Sequence, residues 1–186
     1  MKRIALVASL CLAAAGTAHA AAYGNLVAAQ STVTFTSKQM NVPVNGKFGK
    51  FSAVLDFDPA KSAAAKAQID IDLASIDAGS PDANNEVGGK GWFDVKTYPT
   101  ARFVSSSVKS LGNGRFEALG KLTVKGKTQD ASIPFTFSTA GSNGVFDGTL
   151  TLMRTQFGIG DGPWADTSVV ADAVPIKFHL VATPKK

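Results

Sequence analysis

Apolar side chains recur at every second position along most of this chain, and turn residues interrupt the alternation roughly every 10–15 residues. That period belongs to strands with one face buried, and it limits the fold to a β-sandwich or a β-barrel. Ser31–Ser37 alternates threonines with Val33 and Phe35, and residues 47–58 set Phe51, Ala53, Leu55 and Phe57 on one face. The plainest run is Ile69-Asp70-Ile71-Asp72-Leu73, with three aliphatics on one side and two carboxylates on the other.

Strands resume after Pro99 with Ala101, Phe103 and Ser105, then Phe116, Ala118, Leu122 and Val124, then Ile133, Phe135 and Phe137. Phe146, Leu150 and Leu152 follow, and the last strand carries Val174, Ile176, Phe178 and Leu180. Asn45-Gly46, Asn113-Gly114, Lys125-Gly126 and Asn143-Gly144 read as hairpin turns, since such pairs accept the positive φ of tight turns. Residues 79–96 break the pattern. Ser80 is placed to cap a short helix and Pro81 suits its first turn. The reading is all-β: eight antiparallel strands with one short helical crossover after the third.

The first twenty residues stand apart. Lys2 and Arg3 precede an apolar run from Ile4 to about Ala15, and Ala18-His19-Ala20 offers the small side chains that signal peptidase requires. The run is shorter than the ~20 residues needed to span a bilayer. Residues 1–20 are therefore expected to be a cleavable signal peptide, residues 21–186 a single domain, and the destination the periplasm. Cys11 sits inside the apolar run without a lipobox before it. Cleavage removes 20 of 186 residues, the only cysteine and His19, and lowers the net charge from +5 to +3. No disulfide is then available despite a compartment that permits one. The weak charge, without a basic cluster, gives no reason to expect a nucleic-acid partner.

Short hairpin connections favour a closed up-and-down barrel over a sandwich, which usually needs longer crossings. A membrane barrel would carry aromatic girdles at both interfaces. Here the phenylalanines sit within strands, and Ala182-Thr183-Pro184-Lys185-Lys186 follows the last one. The apolar face is thus expected to point inward. An eight-stranded barrel is just wide enough to be filled by side chains or to hold one small ligand, and the pattern alone leaves both open.

Seven ordered segments carry a resemblance. They are Gly46-Lys47-Phe48-Gly49-Lys50-Phe51, Leu55-Asp56-Phe57-Asp58-Pro59, Ala74-Ser75-Ile76-Asp77-Ala78-Gly79 and Gly91-Trp92-Phe93-Asp94-Val95. Tyr98-Pro99-Thr100-Ala101-Arg102-Phe103, Gly120-Lys121-Leu122-Thr123-Val124-Lys125-Gly126 and Arg154-Thr155-Gln156-Phe157-Gly158-Ile159 complete the set. In order and spacing the chain resembles the YceI family of exported lipid- and polyisoprenoid-binding proteins. The resemblance implies a lipocalin-like barrel whose channel holds an isoprenoid, a quinone or another long-chain amphipathic lipid. It also implies, through one subgroup, transient contact with a membrane or a cytochrome b561-type protein, as monomer or dimer. The chain departs from the family at Asp82–Gly88, acidic and amidic where many relatives carry histidine and basic residues, so any head contact assigned there does not transfer.

The expected ligand-binding set follows the inward parity: Phe35, Phe51, Leu55, Phe57, Ile71, Leu73, Phe103, Phe135, Phe137, Leu150, Leu152, Ile176 and Phe178. Trp92 and Phe93 are expected at one end, with Phe157 and Trp164 in the Gly-rich connection 155–168. Arg154 shares the parity of Leu150 and Leu152 and should point inward, to meet either a polar head or a salt-bridge partner. Lys121, Lys125 and Lys127 read as a solvated face.

Enzyme chemistry has little to build on. After cleavage His179 is the single histidine, on the polar parity of its strand, so neither a Cys–His pair nor a multi-histidine metal site is offered. Asp70 and Asp72 share an outward face, and Phe157-Gly158-Ile159-Gly160 lacks the strand–helix setting of a nucleotide loop. No catalytic residue, metal or cofactor is expected. The function read from the sequence is a binding or carrier protein, with a loop-acting structural protein of filled core as the alternative.

Overall fold

A computed structural model describes residues 22–185, so the expected signal peptide and its cleavage site lie outside the described residues. Eleven strand segments join into eight long antiparallel strands. β1 (Tyr23–Leu26) and β2 (Thr32–Gln39) form one bent strand across a turn at Ala28–Gln30. β3 (Val42–Phe48) and β4 (Phe51–Phe57) form the next, and β5 (Lys66–Asp72) continues past Leu73–Ser75 into β6 (Ile76–Asp77). Then come β7 (Thr100–Gly112), β8 (Arg115–Val124), β9 (Lys127–Ala140), β10 (Asn143–Met153) and β11 (Ala173–Pro184).

Closure is made by β11. One of its sides pairs with β10, and the other with β2 through Ile176–Phe35 and with β1 through Ala182–Leu26. The result is a closed eight-stranded barrel. Helix α1 (Pro81–Gly88) lies over one end, with the Ser80 hydroxyl accepting the Ala83 N–H and Pro81 in the first turn.

Two of the four expected turns are where the sequence puts them. Asn113-Gly114 and Lys125-Gly126 both hold positive φ at both residues. The other two are shifted. The β2–β3 turn is Met40-Asn41, with φ of 48° and 64°, while Asn45 and Gly46 lie within β3. The β9–β10 turn falls at Gly141-Ser142, and Asn143 and Gly144 begin β10.

The cause is packing. Gly46 pairs with Phe35 across the sheet, and a Cβ on it would lie 2.2 Å from that ring. Gly144 meets Phe137 and Tyr23 in the same way, and Gly148 meets Phe178. These glycines let aromatic rings lie flat on the barrel wall instead of filling the lumen. Gly46→Ala is therefore expected to push Phe35 inward and to cost about 1–3 kcal/mol. A matching fall in thermal midpoint checks it, and an unchanged midpoint would show that the ring has room to move.

Inward parity is as expected: Val33, Leu55, Phe57, Phe103, Phe116, Leu152 and Leu180 are buried within one apolar cluster. The outer face is largely polar, with Val54 and Val104 as exposed exceptions beside Gln68. Asp70 bonds Arg102 and Gln68 there; burial raises its carboxyl pKa, but these bonds outweigh that and hold it below the ordinary value. Asp72 accepts the Ala74 N–H, so the two carboxylates serve separate structural contacts. His179 lies half-exposed on the outer face with Nδ1 2.7 Å from Asp147.

Candidate functional site

The barrel encloses a chamber of about 400 Å³ with an overwhelmingly apolar wall. Its far end is stopped by rings. Phe57, 4% exposed, sits 5.0–5.9 Å centroid to centroid from Phe116, Phe135, Phe137 and Phe146, and Tyr23 packs on Phe137. Edge-to-face and tilted pairs of this kind add to plain area burial.

The other end is covered by two segments that the chain keeps far apart. One is α1 with the turn that follows it; the other is the connection from Arg154 to Val170, with short 3-10 turns at Arg154–Phe157 and Gly162–Trp164. They are fastened to each other. The Gly91 carbonyl accepts N–H groups from Gly160 and Asp161, both at 2.8 Å. One oxygen of Glu86, Oε1, accepts the indole N–H of Trp92 at 3.2 Å and of Trp164 at 2.7 Å.

Lys125 binds across the same seam. Its ammonium donates to the carbonyls of Lys90 and Gly158 at 2.8 and 2.7 Å and lies 3.9 Å from Asp161, with its side chain only 12% exposed. The solvated-face reading of Lys125 is corrected: the β8–β9 turn carries it under the lid. Lys121, by contrast, forms an exposed pair with Asp130.

Arg154 does point inward, and it is 1% exposed. Its partner is neither a polar head nor a carboxylate. All five N–H donors go to backbone carbonyls: Nη1 to Ile159 and Gly160, Nη2 to Trp164 and Val170, Nε to Ala171. Burial lowers its pKa while Asp172 opposes the shift, and a guanidinium stays charged through such a change. The Arg154 head therefore moulds the 155–171 connection around itself. The Trp92 ring lies 5.9 Å above it.

Most of the expected set faces the chamber. Phe35, Leu55, Phe57, Ile71, Leu73, Phe103, Phe135, Leu150, Leu152, Ile176 and Phe178 line its wall, and Trp92, Phe93, Arg154 and Trp164 line the lid end. Three are elsewhere. Phe51 packs on the core without reaching the chamber, Phe137 belongs to the far stop, and Phe157 is buried in the lid. Glu86 is not among the expected residues: it sits in the acidic and amidic stretch 82–88, and only the fold brings two indoles to it. Leu122 and Ile133 also line the wall, on the parity the sequence gives them, and so do Phe48 and Ile76, which the breaks at Gly49-Lys50 and Leu73–Ser75 bring to the inner face against that parity.

A closed antiparallel barrel with an internal apolar chamber and one polar end is a lipocalin-like domain of the binding type. Residues 25–182 match the YceI-like domain, and the chain belongs to that family. It is 51% identical to Burkholderia cenocepacia BcnA, whose crystal structure superposes with a TM-score of 0.83 over 86% of this chain and 100% of that one. A UPF0312 protein of Pseudomonas savastanoi pv. phaseolicola is 34% identical over 131 residues, 67% of this chain and 68% of that protein. A polyisoprenoid binding domain from Saccharophagus degradans, at 17% identity, shares the fold with a TM-score of 0.67 over 90% of this chain and 100% of that one.

Proposed function

We propose that this protein is an exported, non-catalytic carrier that holds one long-chain amphipathic lipid, of isoprenoid or quinone type, tail-first in the barrel. The observation that carries the reading is the apolar chamber of about 400 Å³ itself, stopped by aromatic rings at one end and flanked by a polar lid at the other. Each methylene taken from water into the apolar chamber returns about 0.8 kcal/mol. Its size falls within the roughly 300–1,000 Å³ of small-molecule sites.

The shared fold with a polyisoprenoid-binding domain supports the ligand class. The alternation of Lys2-Arg3, apolar run and Ala18-His19-Ala20 supports export. Protein recovered from its native compartment should begin at Ala21 and carry one apolar molecule per chain, seen by native mass spectrometry and solvent extraction. An empty extract, together with failure to take up a long-chain alcohol, would sink the carrier reading.

A further inference from the structure

The lid end of the chamber carries one fixed carboxylate. Both indoles use the same oxygen of Glu86, Oε1, which fixes the carboxylate between Trp92 and Trp164 on the chamber lining. Among the described residues no protein group bonds its second oxygen. An ionised carboxylate only accepts hydrogen bonds.

The two buried cations at this end are committed to protein acceptors, and among the described residues the remaining donors there are the neutral side chains of Ser37 and Gln39. The five N–H groups of Arg154 are all committed to carbonyls, and the Lys125 ammonium is held by Lys90, Gly158 and Asp161. Two further cations lie along the chamber. Arg102 is bonded to Asp70 on the outer face, and Lys66 lies away from the lid, at the far end on the strand position before Ala67 and opposite Asp56.

We infer that the lid end selects a ligand whose polar head donates a hydrogen bond, an alcohol, phenol or amine, over one ending in carboxylate or phosphate, and that Glu86 is the specificity-determining residue. This deepens the carrier reading and rests on it. A donor head reaches the second Glu86 oxygen. An anionic head meets a fixed like charge and finds both buried cations already committed, which is discrimination chiefly by repulsion.

Three probes with one tail test it: farnesol, farnesoic acid and farnesyl acetate, added to the delipidated full-length mature protein at pH 8. Quenching of Trp92 and Trp164, the chain's two tryptophans, gives each Kd, and native mass spectrometry gives the stoichiometry. Farnesol is expected to bind about tenfold or more tighter than the acid. Glu86→Gln keeps an oxygen for both indoles and should strengthen acid binding until the ratio falls to about threefold or less. Acid binding equal to or tighter than alcohol, or a ratio unchanged in E86Q, overturns head selection while leaving the carrier reading intact, because the tails still bind. Binding of none of the three overturns both. Should E86Q fail to fold, the alcohol-to-acid ratio of the native protein decides alone.

Discussion

Arg154→Met is expected to lower stability by about 3–5 kcal/mol and to release the 155–168 connection to proteases before the barrel itself unfolds. Methionine fills much of the volume but returns no donor. Five backbone carbonyls, those of Ile159, Gly160, Trp164, Val170 and Ala171, lose their partner at once. A buried acceptor left unpaired costs about 1–3 kcal/mol, and the part-buried ones recover some of that from water. For a domain of this size the loss corresponds to a fall of roughly 6–20 °C in thermal midpoint. Arg154→Lys should recover only part of it, since three donors on a compact ammonium cannot serve a planar five-donor site. Thermal denaturation and limited proteolysis with mapping of the first cut check the pair. A midpoint within 2 °C of the native protein would mean that the lid is fastened from elsewhere.

Phe57→Ala is the second large effect, again about 3–5 kcal/mol. The ring is the hub of the far stop, in contact with four other phenylalanines, and its removal takes away both buried area and aromatic pairs worth about 0.5–1.5 kcal/mol each. In denaturant titration the midpoint should fall while the slope stays unchanged, as the fold and its exposed area are preserved. The same deletion deepens the chamber. The variant should therefore accept a longer tail than the native protein, read as a gain in affinity for the longer of two alcohols. A cost below about 1 kcal/mol with no change in chain-length preference would show that the neighbouring rings collapse into the gap.

What the sequence disclosed was governed by periodicity. Strand number, inward face and the capped helix at Ser80-Pro81 all follow from local patterns, and the structure repeats them. The errors come from residues with two uses. Glycine after asparagine serves a tight turn at 113–114, but the same pair at 45–46 makes room for a ring from the preceding strand, and nothing local distinguishes them. The lid was harder still. Arg154 has the right parity, yet its partners are carbonyls, which every sequence offers everywhere. Lys125 and Glu86 look solvated because their partners lie 33 and 78 residues away.

The way β11 closes the barrel also orders events during synthesis. It joins β10 to both β1 and β2, and a hydrogen bond from the Val181 N–H to the Ser31 hydroxyl oxygen spans 150 residues. Until those late residues exist, the earliest strands have no second neighbour and the chamber has no wall on that side. Contacts so distant along the chain form slowly. A nascent polypeptide with this topology stays open, and can be threaded in extended form, for as long as its closing strand has yet to emerge.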